Sequence, residues 1–268
     1  METSLELAAR SSTKARTVAV LAMTSGLTTP LIYVDVGALW GVDNPIIEVM
    51  RNNQRLRVVG FEPDRDECDR LRAANPNDIY LPVGVGDVDG SRPFYVTAFN
   101  ACASFLEPDL DVFGDLPHRE LFQVTSISAH PMRRMDSLIA EGALPQPDFM
   151  KIDAQGFELN VLKGLGDRIR DLLGIRLETQ LRPIYKGQAL FPEIYEWMRE
   201  RGFILRDLRM TYPFQYEVVE LEAYFSLDPK DAGSRFSALK IWELAHDIPP
   251  GRTITLRAGQ IDWVSLPV

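Results

Sequence analysis

The chain has 268 residues, and its 29 Lys and Arg against 38 Asp and Glu give a formal net charge of −9. Hydrophobic residues make up 46% and charged residues 25%, as in ordinary globular proteins, which excludes a disordered chain. Basic residues alternate with acidic ones along the sequence. Nucleic acid is therefore disfavoured as a partner, because a phosphate backbone requires a locally basic surface.

Two cysteines, Cys68 and Cys102, are too few for a disulfide framework or a four-ligand zinc site, and a reducing cytoplasm is the expected location. The apolar run at residues 17–23 is too short to span a bilayer, so we expect neither a signal peptide nor a membrane span. Residues 1–30 are predicted to form an N-terminal helical extension.

Strand-like and helix-like stretches alternate along the chain. The predicted strands are residues 31–36, 57–62, 79–85, 149–153, 173–178, 203–208 and 218–225. The predicted helices are residues 44–52, 64–74, 136–141, 157–165 and 192–201. This order predicts an α/β fold with an open, mostly parallel sheet of seven strands, helices on both faces and a ligand crevice at the carboxyl ends of the strands.

Two segments depart from this alternation. Residues 94–97 alternate in polarity, which indicates a hairpin or an edge strand. Residues 105–131 are interrupted by prolines and a glycine, and we expect an irregular functional loop or lid there. Residues 228–268 are predicted to add a helix and an edge extension packed on the same core.

The first predicted strand leads into a turn with the sequence DVGALWG, residues 35–41. Gly37 and Gly41 there let the backbone approach a ligand. Glu62 ends the second strand and is followed by Pro63; a carboxylate at that place accepts both hydrogen bonds of a ribose diol. After the third strand, Asp87 either accepts from an adenine amino group or belongs to a plain turn.

These residues favour S-adenosylmethionine over a dinucleotide. The turn lacks the GxGxxG spacing that places a pyrophosphate on a helix N-terminus. The acids Asp35 and Asp43 and the bulky Trp40 occupy the place of two phosphates, whereas carboxylates attract a sulfonium cation.

Residues 33–38, 60–64, 135–138 and 149–164 together resemble the FkbM-type family of S-adenosylmethionine-dependent methyltransferases, and residues 181–187 and 199–203 are also similar. The stretch from Lys151 to Gly164 is the part of the resemblance that is most specific to this family. The resemblance covers residues 31–227 and implies a Rossmann-like class I methyltransferase domain, with residues 228–268 as a C-terminal extension. It implies O-methylation of a hydroxyl on a sugar, glycan or polyketide-type molecule. Leu39 and Gln155 differ from the Asn and Glu frequent in the family.

The predicted cofactor-binding residues share the ends of the first three strands. They are Asp35, Gly37, Ala38, Gly41, Glu62, Pro63, Gly86 and Asp87.

Methyl transfer to a hydroxyl requires a base, and Asp153 at the end of the fourth strand is the first candidate. The alternative for Asp153 is a helix N-cap. Lys151 is a further predicted catalytic residue that contacts substrate or pairs with an acid; the alternative is a strand lysine that reaches solvent. His130, in the irregular segment, is a second candidate base, whereas His118 is expected at the surface. Glu178, with Asp153, offers a divalent metal site that the absence of a neighbouring histidine disfavours, so no metal ligand is predicted.

The predicted substrate-binding residues are Ser104, Glu178, Tyr185 and Lys186. Three other functions stay open at this point: an N-methyltransferase of a peptide or amine, a catalytically silent nucleoside-binding subunit, and an NAD-dependent reductase. Association into a homo-oligomer stays open as well.

Overall fold

The computed structural model describes residues 4–113, 118–211, 213–214, 217–249, 251–257 and 260–265. The helices are α1 (Ser4–Thr24), α2 (Pro45–Asn52), α3 (Arg65–Ala74), α4 (Leu110–Phe113), α5 (Met135–Ala140), α6 (Glu158–Lys163), α7 (Phe191–Arg199) and α8 (Phe236–Ala245). The strands are β1 (Leu31–Val36), β2 (Leu56–Phe61), β3 (Ile79–Leu81), β4 (Gly84–Val85), β5 (Gly90–Thr97), β6 (Val124–Arg133), β7 (Phe149–Ile152), β8 (Gly174–Gln180), β9 (Phe203–Met210), β10 (Pro213–Phe214), β11 (Glu217–Val218), β12 (Glu220–Leu227), β13 (Arg252–Arg257) and β14 (Gln260–Ser265).

The central sheet has the strand order β14-β13-β9-β12-β8-β7-β1-β2-β3. Strands β3, β2, β1, β7 and β8 are parallel neighbours, while β12 is antiparallel to both β8 and β9. The predicted Rossmann-like α/β fold is confirmed. The predicted count of seven strands is wrong, because β13 and β14 extend the sheet to nine strands within the described residues. The prediction of a mostly parallel sheet is also wrong, because β12, β9, β13 and β14 pair antiparallel and make the sheet mixed.

Two apolar layers cover the sheet because side chains of its strands alternate between the faces. On one face, Val34 and Phe61 pack with Leu138, Val161 and Ile194 from α5, α6 and α7. Helices α1, α2, α3 and α8 cover the other face, and their buried contacts include Val20, Met50, Cys68 and Leu239. Helices therefore lie on both faces, as predicted, and leave the strand ends open.

A second sheet has the order β4-β6-β5 and lies beside the carboxyl ends of the central strands. The third predicted strand is thus divided: β3 belongs to the central sheet and β4 to the second sheet. Of the two alternatives predicted for residues 94–97, the edge strand is confirmed: β5 lies at the edge of this sheet and pairs antiparallel with β6. Residues 98–123 separate the two strands, so they do not form a hairpin.

The expectation of an irregular segment at residues 105–131 is wrong for its last part, which forms β6. Most of its residues are exposed and polar or small, so no apolar alternation reveals the strand. Pro131 resembles a strand breaker. Because β4 pairs only with Met132 and Arg133, most of β6 is an edge, where proline is tolerated.

Helix α8 packs on the far face of the sheet. The Trp242 ring lies so close to β8 that a Cβ built on Gly174 would stand 2.4 Å from it. Arg206 of β9 forms a buried ion pair with Glu243 of α8, with Nη1 and Oε1 2.6 Å apart.

No helix within the described residues is both long and apolar enough to cross a membrane.

Candidate active site

A cleft opens at the carboxyl ends of β1, β2, β4 and β7. Its acidic lining residues are Glu62, Asp64 and Asp153. Its aromatic lining residues are Trp40, Phe61, Phe94, Phe105 and Phe157. The described lining contains no Lys, Arg or His, so the cleft presents carboxylates and rings but no cation to a ligand.

The turn after β1 lies directly against the end of β7. Gly37 has φ +73°, and a Cβ there would stand 1.9 Å from the carbonyl oxygen of Asp153. Only glycine satisfies both the left-handed backbone and this close approach. Ala38 is fully buried below the turn, where its N–H donates to Phe61 O at 3.1 Å. Gly41 has φ +84° and is not among the described residues that line the cleft.

Asp35 is buried in β1, with 1% of its surface exposed. Its Oδ1 accepts no hydrogen bond from the described residues, although Lys151 Nζ lies 3.4 Å away. Burial raises the pKa of Asp35 to about 6, while the neighbouring Lys151 ammonium opposes that rise. A donor or cation brought to this oxygen would satisfy it.

Glu62 lies at the end of β2 with 6% of its surface exposed. Its Oε1 accepts from the N–H of Asp64 at 2.9 Å. Burial raises the pKa of Glu62 to about 7. Pro63 lines the cleft beside it. The arrangement leaves a carboxylate in the cleft wall with capacity for further hydrogen-bond donors.

The structure places Gly86 and Asp87 outside the described lining of the cleft. A Cβ on Gly86 would stand 2.6 Å from Met132 Sδ, so glycine there permits packing of β4 on β6. Asp87 pairs with Arg92, with Oδ1 and Nη2 3.0 Å apart. The pair with Arg92 favours the turn interpretation of Asp87, and the contacts of both residues with the cofactor stay predictions.

Asp153 follows β7 and faces the cleft with its side chain 35% exposed. Its Oδ2 lies 3.6 Å from Lys151 Nζ, and its Oδ1 accepts from Gln155 Nε2 at 2.9 Å. The Asp153 side chain does not cap α6, whose N-cap position is Phe157 without a side-chain bond. Its carboxylate is therefore available to an acceptor in the cleft.

Glu158, in the first turn of α6, is not among the predicted site residues. It is fully buried, and its Oε1 accepts from the N–H groups of Ala154 at 3.0 Å and Gly156 at 3.1 Å. Burial raises its pKa to about 8. Glu158 thus fixes the loop between Asp153 and α6. Helical periodicity does not distinguish such a buried acid from a solvated one.

The four predicted substrate-binding residues occupy different positions. Ser104 lines the cleft and donates from Oγ to Gln155 O at 2.7 Å. Glu178 and Tyr185 lie behind Gln155 and bind its side chain. Lys186 is exposed and pairs with Glu107 at 2.7 Å. Of these four, Ser104 alone belongs to the described lining.

His130 lies on β6 rather than in a loop. Its Nε2 is 3.0 Å from Ser128 Oγ, and its ring centroid is 5.0 Å from that of Phe94. The described cleft wall contains Phe94 but not His130. His118 precedes a short 3-10 helix that begins at Arg119. In the part of the chain that the structure describes, no three His, Cys, Asp or Glu residues are grouped to hold a metal ion.

An aromatic pair stands at the mouth of the cleft. Trp40 is 68% exposed and Phe99 is 43% exposed, and their ring centroids lie 6.2 Å apart. Trp40 has φ +69°, an unusual conformation for a bulky residue. The sequence places Trp40 in the turn but gives no sign of its partner.

The residues present fit S-adenosylmethionine. Glu62 offers a carboxylate suited to a diol, and Asp35 adds a buried carboxylate, paired with Lys151, at the end of β1. Because the described lining carries acids and no cations, it suits a positively charged ligand better than a pyrophosphate.

The solved structures that resemble this chain are distant. A TehB-like SAM-dependent methyltransferase from Corynebacterium glutamicum is 14% identical, with a TM-score of 0.37 and coverage of 80% of this chain and 87% of that one. The 1,6-didemethyltoxoflavin-N1-methyltransferase of Burkholderia thailandensis is 14% identical, with a TM-score of 0.36 and coverage of 81% and 79%. The magnesium protoporphyrin IX methyltransferase of Synechocystis PCC 6803 is 10% identical, with a TM-score of 0.38 and coverage of 85% and 86%. Likenesses this weak carry no argument about function.

No curated protein matches the sequence. The model of the methyltransferase FkbM domain matches residues 35–205, which is more than half of the chain and contains the cleft residues of β1, β2 and β7. The resemblance seen in the sequence is thereby confirmed. The chain belongs to the FkbM methyltransferase family and is accordingly an S-adenosylmethionine-dependent methyltransferase.

Proposed function

We propose that the protein transfers the methyl group of S-adenosylmethionine to a hydroxyl of a sugar, glycan or polyketide-type small molecule. The observation that carries the proposal is the position of Asp153. Its half-exposed carboxylate faces the cleft and lies beside the turn at Gly37. A carboxylate so placed can accept a hydroxyl proton from an acceptor in the same cleft.

The cofactor side of the proposal rests on two acids. S-adenosylmethionine, when bound, supplies an electrophilic methyl group on a positively charged sulfur. Glu62 accepts hydrogen bonds from the ribose hydroxyls, and Asp35 attracts the cationic part of the ligand. Gly37 carries no side chain and lets the backbone approach the ligand closely. Gly86 and Asp87 support the loop and make no direct contact in this proposal.

Methylation of a hydroxyl requires a base. A hydroxyl is a poor nucleophile at neutral pH, so removing its proton as the methyl group moves accelerates the transfer. Lys151 lies next to Asp153, with Nζ 3.6 Å from Oδ2. Because the described lining lacks cations, it favours a neutral acceptor over a phosphorylated one.

Mass spectrometry tests the proposal. Each reaction contains the protein, S-adenosylmethionine and one candidate acceptor. The acceptors are alkyl glycosides, polyketide-type alcohols and their amine analogues. We expect a gain of one methylene on a hydroxyl acceptor, and a loss of about 100-fold or more in rate for Asp153→Asn. Methylation of the amine analogues alone, with Asp153→Asn fully active, would replace this proposal with N-methylation.

A further inference from the structure

Behind the cleft wall, five residues form a closed circuit of hydrogen bonds, here called the glutamine ring. Gln155 Nε2 donates to Glu178 Oε1 at 3.0 Å, and Gln180 Nε2 donates to the same oxygen at 3.1 Å. Gln188 Nε2 donates to Gln180 Oε1. Tyr185 closes the circuit, because its N–H donates to Gln188 Oε1 at 3.0 Å and its hydroxyl donates to Gln155 Oε1 at 2.8 Å.

The backbone fixes the direction of the bonds that run from Gln188 through Gln180 to Glu178. Gln188 Oε1 accepts from the N–H groups of Ile184 at 2.8 Å and of Tyr185 at 3.0 Å, and a backbone N–H only donates. The Gln188 amide nitrogen must therefore face Gln180, whose own nitrogen must face Glu178. A flip of any of these buried amides would oppose donor to donor.

The carboxyl neighbours of Gln155 orient its amide. Its Nε2 donates to Glu178 Oε1 at 3.0 Å and to Asp153 Oδ1 at 2.9 Å, and a flipped amide would bring an oxygen to these two carboxyl groups instead. Oε1 therefore faces the Tyr185 hydroxyl. That buried hydroxyl has one hydrogen and two acceptors, Gln155 Oε1 at 2.8 Å and the carbonyl of Cys102 at 3.0 Å.

The backbone of Gln155 is held in place as well. It has φ +51°, and its carbonyl accepts from Ser104 Oγ at 2.7 Å. The next residue is Gly156, where a Cβ would stand 2.8 Å from Tyr185 Cδ2. Glycine thus allows the Tyr185 ring to pack against the loop and reach the amide.

We propose that Gln155 is a positioning residue that holds the Asp153 carboxylate toward the cleft, with Tyr185 and the glutamine ring fixing the direction of its amide. The inference rests on the proposed function in that Asp153 is the base. Lys151 holds only the other oxygen, Oδ2. A glutamate at position 155 has no hydrogens to donate and would bring a third carboxylate to Asp153 and Glu178.

Three-bond couplings between the Asp153 Cγ and its backbone N and carbonyl C, measured by NMR, report whether its χ1 angle is fixed. We expect a single rotamer in the wild-type protein and rotamer averaging in Tyr185→Phe and in Gln155→Glu. Tyr185→Phe keeps the buried ring and removes only the hydroxyl. The matched control is Gln146→Glu, which adds the same charge at a side chain that bonds Arg168 O instead.

Unchanged Asp153 couplings in both variants, in samples that keep the wild-type melting temperature, would overturn the inference. Calorimetry with S-adenosylhomocysteine on the same samples separates the two proposals. If the Asp153 couplings are averaged in the variants but the wild-type protein gives no binding heat, the positioning role of Gln155 stands and the cofactor assignment is refuted. A variant that unfolds is replaced by Gln155→Asn, whose shorter amide is expected to release Asp153 in the same way.

Discussion

Lys151 Nζ lies 3.4 Å from Asp35 Oδ1, and both side chains are buried where β1 and β7 run side by side. The same ammonium donates to the carbonyl of Gly37 at 3.2 Å and lies 3.6 Å from Asp153 Oδ2. The cation therefore joins the turn proposed to bind cofactor to the acid proposed as the base. Desolvation opposes its charge, but the neighbouring carboxylates prevail and raise the pKa of Lys151 above its usual value.

Lys151→Met is expected to lower the free energy of unfolding by about 3–5 kcal/mol, because it leaves the buried Asp35 carboxylate without a counter-charge. Urea denaturation measures the change. Lys186→Met is the matched control, since Lys186 pairs with Glu107 at the surface and is expected to change little. Equal effects of the two substitutions would contradict the electrostatic role of Lys151.

Glu62 makes stability depend on pH. Burial raises its pKa from 4.5 to about 7, so between these values the folded protein binds a proton that the unfolded chain releases. The free energy of unfolding therefore falls as pH rises from 4.5 to about 7. Above that pH, Glu62 causes no further fall.

The buried acids Asp35 and Glu158 act in the same direction. Glu62→Gln is expected to remove roughly 3 kcal/mol of this fall, measured as the difference between denaturation curves near pH 5 and pH 8. A pH dependence identical to that of the wild-type protein would show that Glu62 is not desolvated.

Gly37→Ala tests the close contact between the turn after β1 and the end of β7. A Cβ at Gly37 meets the Asp153 carbonyl, whereas at Gly202, with φ +86°, nothing lies within 4 Å. Both substitutions carry the backbone cost of about 1–2 kcal/mol. We expect Gly37→Ala to be clearly more destabilising and to abolish binding of S-adenosylhomocysteine, while Gly202→Ala keeps its affinity. Equal melting temperatures and affinities in the two variants would disprove the close approach.

Trp40→Ala tests the aromatic mouth. Because most of Trp40 is exposed, loss of its ring is expected to change stability by less than about 1 kcal/mol. If the Trp40 and Phe99 rings stack on a cyclic acceptor, KM for that acceptor rises several-fold. The affinity for S-adenosylhomocysteine serves as the internal control. A KM equal to that of the wild-type enzyme would exclude the rings from acceptor binding.

The sequence predicts the parts of this site that parallel strands determine. Apolar runs locate β1, β2 and β7, and the carboxyl ends of such strands share one edge of the sheet, so Asp35, Glu62 and Asp153 are expected near each other. The structure brings Glu62 and Asp153 to one cleft and buries Asp35 beside it.

Side-chain direction was not predictable in the same way. Glu178 and Tyr185 follow the next strand, yet they bind Gln155 from behind, because loop geometry decides which side of the wall they occupy. Strand β6 carries no apolar alternation and was missed. Glu158 was missed because its partners are backbone N–H groups of its own loop, which sequence spacing does not reveal.

Isothermal titration of the wild-type protein and of Glu62→Ala with S-adenosylhomocysteine shows whether the cleft binds the cofactor through Glu62. We expect saturable binding to one site in the wild-type protein and affinity reduced about tenfold or more in the variant, since the ribose hydroxyls lose a hydrogen-bond acceptor. Absence of binding heat in the wild-type protein, or equal affinity in both proteins, would refute the assignment of the cofactor site.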